Sequence, residues 1–105
     1  MVSCGTVISG SLRSEDLAPA FVDELRALSP ERLAQVQGDY PRFFAKSGNV
    51  VSERSIVWRW FLASDFVNAL MDALNDCAPE GLYFGASEGD GADFGFWMIQ
   101  EADYV

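Results

Sequence analysis

The sequence predicts an α+β fold: a small antiparallel sheet, made of an N-terminal strand plus a C-terminal hairpin, packed against three to four helices. Three observations carry this. Apolar residues recur at helical spacing between Leu17 and Leu28 and again beyond Val51. A β-branched run, Thr6-Val7-Ile8, opens the chain, and two aromatic runs around a Ser/Gly/Asp cluster close it. The 105 residues are 50% hydrophobic and 13% aromatic, which suffices for one core and one domain over residues 1–105 and is too apolar for intrinsic disorder.

Each element has its own signal. Val2 to Ser9 reads as a strand that stops at Gly10. Leu17, Phe21, Leu25 and Leu28 follow at steps of four, four and three, with Asp23, Glu24 and Arg26 elsewhere on the wheel, so this is an amphipathic helix. Pro19 fits best in its first turn, which puts the helix start near Ala18. Ser29-Pro30-Glu31 ends that helix and begins another, with Ser29 as N-cap and Pro30 at the first position. The second helix carries Leu33 and Val36 and is punctuated at Gly38. A turn-rich connector with buried aromatics follows, and Ser47-Gly48-Asn49 is its expected flexible loop.

Val51 to Asp76 reads as helical, either continuous or broken near Ala63-Ser64. Ile56 to Leu62 is apolar on every side, as for an element sunk in the core; a buried strand is the competing reading there, because periodicity does not separate the two in so short a run. Ala78-Pro79-Glu80-Gly81 stops the helix. Leu82 to Ile99 reads as a β-hairpin with a loop of about four to six residues.

Absences narrow the chemistry. The chain has no histidine, which removes the commonest general base, the histidine-activated nucleophiles and the usual zinc ligand. Cys4 and Cys77 form no CxxC pattern, and no basic cluster flanks either to make a reactive thiolate. A bridge between them stays open, although a cytosolic compartment disfavours it. Lys46 is the one lysine. These features predict a protein that is not an enzyme and uses no cofactor or metal. No apolar run reaches membrane-span length, and MVSCGTVISG lacks a basic segment followed by an apolar core, so a cytoplasmic protein is expected.

The charge is unevenly placed. The net charge is −9, from sixteen acids and seven bases, which argues against direct nucleic-acid binding. Residues 1–59 hold seven acids and all seven bases; residues 60–105 hold nine acids and no base. At about 100° per residue, Asp65, Asp72 and Asp76 fall within roughly 40° of one another, spaced by roughly 10 Å and 6 Å, opposite Val67, Leu70, Met71 and Leu74. With Glu80 at the helix exit and Glu88, Asp90 and Asp93 in the hairpin loop, they could resemble a phosphate backbone to a basic partner. An ordinary solvated face accounts for the same residues. Glu88, Asp90 and Asp93 could also wrap a calcium ion, but the spacing departs from the known calcium-loop register; a glycine-rich turn is the simpler account.

In the hairpin, Phe94, Phe96 and Met98 share one face, and Trp97 and Ile99 share the other. If helices cover only one face, the second leaves an apolar patch for a partner or a homodimer, with Trp97 as anchor. Gly85 and Gly95 mark places where an aromatic ring or a backbone comes close.

Two segments carry a resemblance. DALNDCAPEGLYFGASEGDGADFGFW, Asp72 to Trp97, and LRSEDLAPAF, Leu12 to Phe21, are similar to segments of small proteins of bacteriophages and mobile elements, a family with no assigned chemistry and no catalytic motif here. The resemblance covers about a third of the chain. It implies a phage or plasmid context, hence the host cytoplasm, and raises the prior for anti-defence proteins such as anti-CRISPR or anti-restriction proteins. The expectation is therefore a non-enzymatic inhibitor that occupies the basic surface of a nucleic-acid-handling protein. The alternative is an assembly module that uses the aromatic hairpin.

Overall fold

The computed structural model describes residues 5–10, 13–52, 54–59, 62–87 and 91–98. The architecture is α+β. Strand β1 (Gly5–Ile8) is followed by helices α1 (Ser14–Leu28) and α2 (Pro30–Asp39), then α3 (Leu62–Asp76), then the hairpin of β2 (Leu82–Ala86) and β3 (Phe94–Met98). The sheet is antiparallel throughout with order β1-β3-β2. In the hairpin Tyr83 pairs with Trp97, Phe84 with Phe96 and Gly85 with Gly95. Residues 87–93 join the two strands, a loop slightly longer than expected, closed by Ser87 N–H donating to the Asp93 carbonyl at 2.8 Å.

The inner face of the sheet carries Phe84, Phe94 and Phe96. Phe21 of α1 meets Phe84 edge-on at 5.1 Å and Phe94 at 5.5 Å between ring centroids. Helix α3 packs along α1 and against β2, so its apolar stripe of Phe66, Val67, Leu70, Ala73 and Leu74 is buried. Phe21, Leu25, Phe66, Leu70 and Leu74 are fully buried, each side chain contributing roughly 1.5–3 kcal/mol by leaving water. The buried residues form one cluster, as a single core requires.

Three local expectations are corrected. Helix α1 begins at Ser14, not near Ala18, because the Arg13 carbonyl already accepts from the N–H of Asp16 and Leu17 at 3.0 and 2.9 Å. Glu15 and Asp16 occupy its first turn, where carboxylates suit the positive helix end. Pro19 therefore lies inside the helix, and the Glu15 carbonyl finds no N–H at Pro19 to accept from. Helix α2 is capped as read, Ser29 Oγ accepting from Arg32 N–H at 3.2 Å, but runs one residue past Gly38.

The second correction concerns Val51, Ser52, Arg54 and Ser55, which are not helical. Ser52 and Ser55 hydroxyls accept from the N–H of Arg54 and Val57, and Trp58 Nε1–H donates to the Ser52 carbonyl at 2.9 Å. Such side-chain bonds offer the backbone an alternative to a helix. A 3-10 turn over Ile56–Arg59 follows, excluding a strand there, and α3 starts at Leu62 rather than at Ala63-Ser64. Trp60 and Phe61 lie outside the described residues. Val57 and Trp58 are buried, whereas Ile56 is 66% exposed, so this stretch has a solvent side after all.

The third concerns Ser47-Gly48-Asn49, which is held rather than loose. Gly48 takes φ +89°, and its carbonyl accepts from Arg26 Nη2 at 2.9 Å and Gln37 Nε2 at 3.2 Å. Phe44 and Val50 bridge below it, and Phe43 stacks on Phe66 at 4.5 Å, fastening the connector to α3.

Candidate partner-binding surface

The helix that was expected to display acids does so. Asp65, Asp72 and Asp76 are exposed on α3, and of the apolar residues opposite them Val67, Leu70 and Leu74 are buried and Met71 is half-buried. Burial of that stripe against α1 and β2 fixes the rotation of the helix, and rotation places the carboxylates outward. Asp76 differs from the other two. Its Oδ2 accepts from Arg32 Nη2 of α2 at 2.9 Å, with side-chain exposures of 67% for Asp76 and 36% for Arg32. An ion pair this open to solvent contributes under about 1 kcal/mol. It also means that the base missing from residues 60–105 is partly supplied by the N-terminal half. Asp65, Asp72 and Glu80 make no ion pair among the described residues.

Glu80 is exposed in the turn between α3 and β2, where Leu82 N–H donates to the Pro79 carbonyl at 3.0 Å and Gly81 takes φ +86°. This turn returns the chain along α3. Asn75, one residue before Asp76, then reaches the outer edge of β2: its Oδ1 accepts from Phe84 N–H at 3.0 Å. An unpaired N–H on an edge strand is thereby satisfied. Nothing in the sequence singled out Asn75, since asparagine in a last helical turn reads as an end signal.

Asp93 is placed elsewhere. It is half-buried and accepts from Thr6 Oγ1 of β1 at 2.7 Å, on the far side of the sheet from β2. Its local work is to tie the hairpin loop to the first strand. Glu88 and Asp90, and with them the calcium reading of the loop, lie outside the described residues, as do Glu101, Asp103, Ile99 and Cys4. The other cysteine, Cys77, is a free, half-buried thiol packed against the core. Among the described residues no three His, Cys, Asp or Glu side chains gather as metal ligands, and no helix is long and apolar enough to cross a membrane.

Trp97 sits on the outer face of the sheet with Tyr83 opposite it. Its Nε1–H donates to the Gly85 carbonyl at 2.9 Å, so the indole reaches diagonally across the ladder. The Tyr83 ring lies beside Gly85, 3.7 Å from where a Cβ would stand. Gly85 and Gly95 are buried while Tyr83 and Trp97 are half-buried: the Tyr83 ring covers Gly85, and the backbone of β1 at Gly5 and Thr6 covers Gly95. Met98, grouped with Phe94 and Phe96 on the inner face, is 69% exposed, although its cross-strand partner Leu82 packs against the core. Compared with protein-family models, curated proteins and solved structures, the chain matches none at a significant level.

Proposed function

We propose that the chain is a non-enzymatic binding protein that docks its acidic C-terminal half on the basic surface of a nucleic-acid-handling protein and so occupies the nucleic-acid path. The observation that carries this is the row on α3: carboxylates at helical intervals, outward-facing, with Asp65 and Asp72 unpaired among the described residues and no base interleaved in the sequence. Like charges kept together without compensation oppose folding, and their use against a basic partner is the functional return. An anti-defence protein of a phage or mobile element, acting on a CRISPR or restriction enzyme in the host cytoplasm, is the concrete form. No catalytic step and no cofactor enters it.

The test is capture of partners from host lysate by the tagged chain at low and high salt, with duplex DNA as competitor, beside an Asp65→Lys, Asp72→Lys variant. These positions are chosen because reversing Asp76 would also set a lysine against Arg32. A nucleic-acid-binding protein that is retained at low salt, displaced by DNA and lost in the variant is the expected result. Retention that ignores salt and charge reversal, or recovery of the chain alone, would replace the reading with self-association or assembly through the aromatic hairpin.

A further inference from the structure

We propose that Tyr83 and Trp97 form a shelf that receives an arginine side chain of the basic partner, and that this shelf and the α3 carboxylates belong to one docking surface wrapped around the β2 edge. The inference rests on the reading above and adds to it which part of the partner is gripped and by what.

The rings are already positioned. Tyr83 and Trp97 are cross-strand partners on the face of the sheet opposite to the one on which α1 packs. The bond from Trp97 Nε1–H to Gly85 holds the indole at a defined angle, and Gly85, with no Cβ, lets the Tyr83 ring lie against its backbone. Both rings stay half-exposed. A held aromatic face attracts a guanidinium through the ring quadrupole and by planar stacking, and does so better than it attracts a compact ammonium.

The shelf and the acids are neighbours by construction. Asn75 joins α3 to the β2 edge through Phe84 N–H; Asp72 lies one helical turn before it, and Tyr83 is the residue next to Phe84. Glu80 stands in the turn that leads into the same strand. A standard interface covers about 800 Å² per partner, roughly 30 Å across, which is ample to span a helix and the edge strand beside it. The charge there selects the occupant: Asp72 and Glu80 stand on the helix and the turn beside this edge, residues 60–105 hold no base, and Arg32, which reaches Asp76 from α2, is already held by that carboxylate, so a cationic side chain is drawn to this edge and an anionic or neutral segment is not.

The test uses the full chain, an octa-arginine peptide and an octa-lysine peptide of equal charge, with assigned Trp97 indole and Tyr83 ring resonances. Octa-arginine should shift both sets of resonances and bind about twofold to fivefold more tightly than octa-lysine. Tyr83→Leu should remove that preference, and Tyr83→Phe should keep it. Equal affinity for the two peptides with Trp97 and Tyr83 resonances unmoved overturns the shelf. Should Tyr83→Leu fail to fold, the wild-type resonances and the arginine preference still decide. The outcome is separable from that of the function itself. A shelf that fails while the Asp65→Lys, Asp72→Lys variant still loses its nucleic-acid-binding target leaves acidic docking standing without arginine stacking. Loss of neither target nor salt dependence in that variant removes acidic docking, whatever the peptides do.

Discussion

Gly95 shows how a single hydrogen atom in place of a side chain sets the sheet. A Cβ there would overlap the Gly5 carbonyl oxygen and stand 2.9 Å from Thr6 Cα, so the first strand closes on β3 only if residue 95 is glycine. Gly5 itself takes φ +145°, a conformation that residues with a Cβ avoid, and the pairing shifts register between Thr6 and Ile8. Gly85 is its cross-strand partner, yet its nearest neighbour is the side of the Tyr83 ring at ordinary contact distance. Gly95→Ala should therefore cost about 2–4 kcal/mol in urea unfolding, and Gly85→Ala under about 1 kcal/mol; equal losses would mean that β1 does not seat on β3 as described. That Gly95 marks a close approach was legible in the sequence, because glycine between aromatic strand residues has few other reasons to be there; at Gly85 the same signal marks only an ordinary contact with an aromatic ring. Which neighbour approaches was not, since β1 is distant in the chain. The Arg32–Asp76 pair was hidden for the same reason: helical spacing shows which acids align with one another, not which base arrives from another helix.

Helix boundaries follow from competition between local hydrogen bonds, and α1 illustrates the balance. Pro19 argued for a late start, but the acidic first turn and the burial of Leu17 and Ala18 outweigh one missing backbone bond. The misfit remains as a cost, so Pro19→Ala, at an exposed position, should raise stability by about 1–3 kcal/mol, read as a higher urea midpoint with an unchanged slope. The same turn carries a pH dependence. The Glu15 carboxyl is held below its ordinary value of 4.5 mainly by a hydrogen bond from its own backbone N–H, then by the Arg13 side chain. A carboxyl lowered in the folded state contributes stability that is present above its unfolded value and is lost as pH falls through the folded one. Glu15→Gln should consequently lower stability at pH 7 and make the decline below about pH 4.5 shallower; an acid limb of unchanged steepness would remove Glu15 from it. The cap at Ser29 was readable because Ser-Pro-Glu carries its mechanism in three adjacent residues. The unwound stretch before Ile56 was not, because serine side chains that bond back to the main chain look in sequence like ordinary polar positions of a helix.

At the scale of the molecule the two halves divide the electrostatics. Arg13 and Arg26 pair with carboxylates of their own helix and Arg32 reaches across to Asp76 of α3, while Asp65 and Asp72 on α3 have no such partner among the described residues. The chain thus carries its net charge of −9 where the fold does least to offset it. A solvated face and a docking face predict different consequences of removing that charge. If the row is held for a basic partner, Asp65→Asn with Asp72→Asn should act in opposite directions on the two properties. The free protein should gain about 0.5–1 kcal/mol of stability at low salt, since two like charges are gone from a strongly acidic chain, and binding to the captured target should weaken at least tenfold, mostly through slower association. Half-molar salt should shrink both effects, because at that ionic strength charges a helical turn or two apart are screened from one another. Stability measured by urea titration, and association by stopped flow, give the two numbers on the same preparation. A gain in stability with target binding untouched would make the acids a solubility feature whose cost the fold tolerates, whereas opposed changes that fade together with salt tie the strain on the free protein to the affinity for its partner.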